Sequence, residues 1–327
     1  MSSMPEVLNP EIQVVQFAPT PAPMPPHSRY HLSQEQIQFF DTHGYLVLRG
    51  LIDGEMLERL QTAGSRWIEH GLEANSQDPH RGDYQFAKRP NGEVFYRVDY
   101  LHNKAQTASL ELLGDPRVLG IAESLCGQNF VPTYESMVFK QQGDGEQIPW
   151  HQDAVHPRKY RVFNFDLYLD RSSIGAGALR VVPGTQTKIL DVCEVRDQFG
   201  WDAPSVIQVE MEPGDVLLHD VMVLHGSERT AGKALRRTIY YEFRAAEEIL
   251  EDGPWDEAWI EKRIRLVPLG LNAFARAFPE KEQFDWKVSP EFRPAPLQNE
   301  TEELKVAHVV HMNGSYCSAG DAKKAVS

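Results

Sequence analysis

His151 and Asp153 lie two residues apart in the run Ile148-Pro-Trp-His-Gln-Asp153. In an extended segment such residues project to one face, so the imidazole and the carboxylate can turn to a common point while Gln152 faces away. A neutral imidazole nitrogen and a carboxylate oxygen are two adjacent ligands for a divalent metal. The pair is common by itself, and most of the twelve histidines should be surface or satisfied core residues. Specificity comes from downstream. Pro213-Gly-Asp-Val-Leu-Leu-His-Asp-Val-Met-Val-Leu-His225-Gly-Ser227 reads as a strand, a turn and a histidine followed by small residues. Arg236 comes eleven residues after His225, at the head of the strand-like run Arg236–Arg244.

Two histidines and one carboxylate on a single face leave three coordination positions open, an arrangement diagnostic of non-haem Fe(II) oxygenases. Two of these suit a 2-oxo acid chelating through its keto and carboxylate oxygens, and the third is left for dioxygen. A guanidinium beyond the metal can take the far carboxylate bidentately. Two choices stay open on this reading alone. His219 competes with His225, and Arg237 competes with Arg236. On a strand Arg236 shares its face with Thr238, Tyr240 and Glu242, whereas Arg237 goes with Ile239, Tyr241 and Phe243.

The elements that must position these residues read as follows. Ser33 and Gln36 form a capping box for a helix that Gly44 stops, with Ile37 and Phe40 on its apolar face. Tyr45–Leu51 follows as a strand. A second helix begins after Asp53, with Leu57, Leu60, Gly64, Trp67 and Ile68 on one stripe. From residue 90 the signal turns to strands: Phe95–Tyr100, Phe130–Gln141, Arg161–Asp170, Gly177–Val182, Val206–Met211, Asp215–His219 and Arg236–Arg244. Strands in this number, without alternating helices, point to a sandwich, jelly roll or barrel rather than a parallel α/β sheet. In Phe163–Asp170 the apolar residues alternate with Asn164, Asp166, Tyr168 and Asp170. That fits a half-solvated strand and a polar barrel mouth equally well. Pro254 opens a late helical region that Pro268 should kink or split. Val306–His311 reads as a short strand in an otherwise irregular tail.

The chain has 327 residues, 41% of them hydrophobic, which permits one large domain with a sizeable core. A formal charge of −14 argues against nucleic acid or an anionic membrane as partner. No apolar run reaches the roughly 18 residues of a membrane span, and neither terminus reads as a targeting signal. Three cysteines without close spacing argue against a disulfide framework or a cysteine-rich zinc site. The expectation is a soluble, cytoplasmic protein acting on a small molecule, with a homodimer in view. The domain expectation is a flexible Pro-rich arm over 1–30, a catalytic domain with a helical buttress over 31–287, and an irregular tail over 288–327.

Taken together, His151-Gln-Asp153, Gly177-Ala-Leu-Arg-Val-Val-Pro-Gly-Thr185, Pro213-Gly-Asp-Val and His225-Gly-Ser with Arg236 resemble the phytanoyl-CoA dioxygenase family of Fe(II)/2-oxoglutarate oxygenases. The opening helix with Gly44-Tyr-Leu-Val-Leu is similar to the start of that family, and the likeness runs from about Leu32 to Trp286. The resemblance implies a mainly β fold with flanking helices, a double-stranded β-helix of the jelly-roll, cupin-like kind. It implies iron on His151, Asp153 and His225, and the far carboxylate of 2-oxoglutarate on Arg236 with help from the Ser227 hydroxyl. Small residues after the ligand and the arginine eleven further on match His225 rather than His219, which becomes a neighbour of the site. Lys140 is a further candidate for the oxo acid. Tyr134 and Tyr168 are candidates for the pocket wall, and Arg97 reads as an ordinary surface arginine or, second, as a residue facing the substrate. The implied reaction consumes dioxygen, with ascorbate as a supporting reductant, and hydroxylates an unactivated C–H bond of a small metabolite. Asp153 in the carboxylate position speaks against halogenation. Two rivals are a cupin-like isomerase or hydrolase that ignores 2-oxoglutarate, and a non-catalytic metal-binding barrel. Substrate choice is expected in Asp78–Tyr100, Gln142–Ile148 and Trp255–Phe278, with packing under the barrel or a dimer contact as the alternative for the last.

Overall fold

The computed structural model describes residues 30–306, apart from 90–91, 142–143, 156–157, 230–233, 254, 298 and 300–302. The Pro-rich arm before Tyr30 and most of the predicted strand Val306–His311 lie outside the described residues. Helix α1 (Gln34–His43) begins on the expected capping box, with the Gln36 amide on Ser33 Oγ at 3.2 Å and the Ser33 amide on Gln36 Oε1 at 2.8 Å. It ends at Gly44 with φ +74°, where a Cβ would stand 2.5 Å from Gln186 Oε1, so only glycine fits. Strand β1 (Tyr45–Leu48) follows, then α2 (Gly54–Glu73), which buries Met56, Leu60, Ala63, Gly64, Trp67 and Gly71.

The next elements are β2 (Tyr84–Arg89), β3 (Gly92–Asp99), α3 (Ala108–Leu113), α4 (Pro116–Cys126), β4 (Phe130–Lys140), β5 (Ile148–His151), β6 (Phe163–Tyr168), β7 (Leu179–Val182) and α5 (Val192–Phe199). Then come β8 (Ile207–Val209), β9 (Val216–Asp220), β10 (Leu224–Ser227), β11 (Arg236–Ala245), α6 (Ala246–Asp252), α7 (Glu257–Ile264) and α8 (Leu266–Ala277). The strands form a seven-stranded sheet in the order β1-β9-β6-β11-β4-β3-β2 and a four-stranded sheet in the order β5-β10-β7-β8. The strand pairings given for both sheets are antiparallel. This is the expected double-stranded β-helix.

One core lies between the sheets and another outside the large sheet. Tyr168, Leu179, Val181, Val209, Met211, Leu217 and Val223 join the sheets. Met137, Phe139, Phe165, Leu167, Ile239, Tyr241 and Phe243 face the helices, in one cluster with residues of α2, α3, α4 and α8. Each such side chain contributes about 1.5–3 kcal/mol on burial, so the helical layer fixes the large sheet as a platform. β6 shows the division well. All six residues are buried: Phe163, Phe165 and Leu167 turn to the helices, and Asn164, Asp166 and Tyr168 turn to the space between the sheets. Its polar face is therefore not solvated.

Three departures from the sequence reading have physical causes. The Trp255–Phe278 region takes the alternative of packing on the sheet: Trp259, Ile260 and Ile264 of α7, with Trp255 just before it, pack beside Val131 and Ile249. Its break falls at Arg265, and Pro268 occupies the first turn of α8, where its missing N–H costs nothing. Helices α3 and α4 interrupt the region read as strands. Cys193 is disulfide-bonded, whereas Cys126 is a buried free thiol.

Candidate metal centre and oxo-acid cradle

The small sheet brings the two histidines together. In the antiparallel β5–β10 pair His151 stands opposite His225, and their ring centroids are 4.1 Å apart. His151 Nδ1 lies 2.8 Å from the Pro149 carbonyl, and His225 Nδ1 lies 2.9 Å from that of Val223. A carbonyl can only accept, so each Nδ1 carries the proton and each Nε2 presents its lone pair to the site. Asp153 follows β5 and is anchored by its own amide on Val221 O at 2.7 Å. Its Oδ1 is 3.4 Å from His151 Nε2, and its Oδ2 is 3.7 Å from His225 Nε2. One ligand atom from each of the three residues falls within 4.8 Å of the others. Burial, then the neighbouring His151, hold His225 well below the usual histidine range, so it is neutral and ready to ligate. Burial opposes the charge on Asp153, but His225, His151 and His219 hold its carboxyl well below the ordinary range. The donor set and protonation states suit a divalent first-row metal.

The large sheet supplies the residues behind Asp153. His219 of β9 stands opposite Asn164 of β6. His219 Nε2 is 3.1 Å from Asp153 Oδ2, and its Nδ1 is 2.8 Å from Asp166 Oδ2. Burial works against a charge on His219, yet Asp166 and Asp153 outweigh it and push its pKa up to about 10. His219 thus bonds to a metal ligand rather than serving as one, in line with the choice of His225.

Arg236, Lys140 and Ser227 converge at the far end of the same space. Arg236 and Lys140 are direct partners in the β11–β4 register, which puts them on one face. Lys140 donates to Ser227 Oγ at 3.0 Å, and Arg236 donates to Ser172 Oγ at 3.1 Å and to the Gly177 carbonyl. Among the ion pairs of the described residues neither cation has a carboxylate. Burial, reinforced by Arg236, pushes Lys140 down to about 7. Arg237 faces the helices. It pairs with Asp170 at 2.8 Å and donates to Gln61 O and Ser65 Oγ at 2.7 and 2.9 Å. The strand alternation puts Arg236 between the sheets and Arg237 among the helices.

Other expectations fare differently. Tyr168 packs in the core between the sheets, opposite Thr238. Tyr134 donates to Asp99, which also pairs with Arg97 at 2.9 Å. Arg97 is therefore an ion-paired residue on the inner side of the β2–β3 hairpin rather than an ordinary surface arginine. Asn164 and Asp166 were legible only as a polar strand face, and Ser172 carried no signal at all.

A jelly roll that holds two histidines and a carboxylate within reach of one metal defines the class of non-haem iron, 2-oxo-acid-dependent oxygenases. Comparison with known proteins agrees. The phytanoyl-CoA dioxygenase (PhyH) family model matches residues 40–238, a span that contains the triad and Arg236. The chain is 25% identical over 233 residues to a probable alpha-ketoglutarate-dependent hypophosphite dioxygenase of Stutzerimonas stutzeri, covering 66% of this chain and 79% of that one. Among solved structures, AviO1 from Streptomyces viridochromogenes superposes with a TM-score of 0.56 at 27% identity, over 65% of this chain and 95% of its own. EvdMO1 gives 0.57 at 28% identity over 65% of this chain, which spans only 50% of that chain. The protein belongs to the phytanoyl-CoA dioxygenase family and is a non-haem iron, 2-oxoglutarate-dependent dioxygenase.

Proposed function

We propose that the protein hydroxylates an unactivated C–H bond of a small metabolite, converting 2-oxoglutarate and dioxygen to succinate and carbon dioxide. The observation that carries this reading is the pair of cations, Arg236 and Lys140, set side by side without a carboxylate partner among the described residues. Lys140 is buried and Arg236 half-buried; a charge so placed without a counter-charge is costly, and the far carboxylate of a five-carbon oxo diacid would satisfy both, with the Ser227 hydroxyl as a third contact. Iron(II) held by His151, Asp153 and His225 would supply the activation of dioxygen. The protein's own residues orient and exclude. The two Nδ1–carbonyl bonds fix the ring planes, Asp153 sets the charge at the centre, and Tyr168 with its neighbours fills the space between the sheets.

Substrate choice falls to the edges of this platform. The β2–β3 hairpin puts Arg97 and Asp99 beside Val138 and Ser136 of β4, so it is the segment proposed to meet the substrate. A net charge of −14 supports a small molecule over a polyanion. Among the described residues no helix is long and apolar enough to cross a membrane.

The test is anaerobic loading with Fe(II) and 2-oxoglutarate, then air, ascorbate and candidate metabolites, with succinate as the readout. Substrate-dependent succinate is expected from the wild type. Asp153→Ala should keep the fold and lose more than the roughly 10–100-fold that removal of an outer hydrogen-bond partner costs a metal site. Undiminished turnover in that variant would remove the triad from the account. Turnover indifferent to Arg236→Ala would favour a metal enzyme of the cupin kind that ignores the oxo acid.

A further inference from the structure

We infer that His219 and Asn164 form a clamp on one oxygen of Asp153 that restricts this carboxylate to ligation through its other oxygen. The inference rests on the iron and 2-oxoglutarate reading above and concerns how many positions the protein leaves open.

An ionised carboxylate offers about four acceptor sites, two on each oxygen. Asp153 Oδ2 receives Asn164 Nδ2 at 2.9 Å and lies 3.1 Å from His219 Nε2, so two nitrogens occupy its acceptor directions. Oδ1 faces His151 Nε2 at 3.4 Å, and His225 Nε2 lies 3.7 Å from Oδ2. A carboxylate that chelated a metal through both oxygens would take a position that the oxo acid or dioxygen needs.

The clamp is built from the large sheet. Asp153 lies beyond the end of β5, outside any strand. Asn164 and His219 are opposite one another in the middle of the large sheet, on β6 and β9. Asp166, itself fully buried, holds the far ring nitrogen of His219 at 2.8 Å and keeps the ring from turning. Asn164 Nδ2 and His219 Nε2 lie 3.1 Å apart and both donate to the same oxygen, so they reach it from adjacent directions. His219 and Asn164 act through Asp153 and are positioning residues.

The experiment compares the full-length wild type with His219→Ala, Asn164→Ala and His219→Gln, each loaded anaerobically with Fe(II) and titrated with 2-oxoglutarate. The readouts are the visible charge-transfer absorption of the iron–oxo acid chelate, the oxo-acid affinity, and iron coordination by X-ray absorption. Circular dichroism checks folding. The wild type should give the chelate band with a single carboxylate oxygen from Asp153. Both alanine variants should bind both Asp153 oxygens to iron and lose roughly tenfold or more in oxo-acid affinity. His219→Gln, which retains an N–H donor, should recover most of that loss. If His219→Ala does not fold, Asn164→Ala removes the other donor and decides the matter in the same way. Folded alanine variants with the wild-type band, affinity and coordination would overturn the clamp alone. Absence of the chelate band in the wild type would instead overturn the iron and 2-oxoglutarate reading, and the clamp with it.

Discussion

Strand β4 carries a buried charge on each side of the large sheet, Glu135 toward the helices and Lys140 toward the small sheet. Glu135 is saturated. Arg263 and His102 both reach its carboxylate, and Arg263 spends further donors on Pro132 O and Leu304 O, each at 3.1 Å. Burial would raise the Glu135 pKa, but Arg263 and then His102 bring it down to about 2. Among the described residues Lys140 donates to the Ser227 hydroxyl, with Arg236 as its neighbour, and burial brings it down to about 7. The contrast separates two uses of charge in one sheet. Matched charge ties the helical layer and residues 303–306 to the sheet, and the cations without a carboxylate among the described residues are those proposed above to receive the oxo acid.

Breaking the matched side should have the largest effect. Arg263→Ala leaves Glu135 buried without its main partner and should cost about 3–5 kcal/mol of stability, read from urea unfolding. In the wild type, the support that Glu135 gives is complete above its ordinary value of 4.5 and is lost as the pH falls toward about 2. Acid unfolding of the wild type should therefore report this group late. A flat response to Arg263→Ala would mean that the cluster is not what secures the outer layer.

Breaking the unmatched side should spare stability and weaken binding. Loss of hydrogen bonds to a charged group costs about 1.5–3 kcal/mol, so Arg236→Ala should reduce 2-oxoglutarate affinity by roughly ten- to a hundredfold. Arg237→Ala should do the reverse, lowering the melting temperature through the loss of Asp170 and leaving oxo-acid affinity unchanged. Exchanged outcomes would mean that the strand faces are misassigned.

The smallest effect is a pH dependence. An anion favours protonated Lys140, so its arrival raises the pKa above the value of about 7 in the free protein. Oxo-acid affinity should then be level below pH 7 and decline by up to tenfold per unit above it. Lys140→Met should bind more weakly at neutral pH and lose this slope. An unchanged slope in Lys140→Met would assign the titration to another group.

Much of this site was legible because its chemistry recurs at short spacing. His151 and Asp153 announce themselves through the two-residue period of a strand, and Arg236 through its distance from His225. The alternation of β11 foretold that Arg236 and Arg237 must part. His219, Asn164 and Asp166 were legible only as residues with a polar side. Their meeting with Asp153 depends on the β6–β9 register, a long-range pairing that local pattern does not encode. Helix α4 was missed although Asp115 caps it, Pro116 opens it and Gly127 closes it, because a helix buried on all sides shows no amphipathic stripe. Arg97 reads as a surface residue until β3 is paired with β4, after which Asp99 and Tyr134 claim its neighbourhood.

The central claim is that the metal triad and the unpaired cations serve one ligand together. Calorimetric titration of 2-oxoglutarate, without oxygen, into wild type with and without Mn(II), and into an Arg236→Ala/Lys140→Met variant with Mn(II), tests it directly. The account predicts strong binding only where the metal and both cations are present. Equal affinity in the metal-free wild type, or in the metal-loaded double variant, would contradict it.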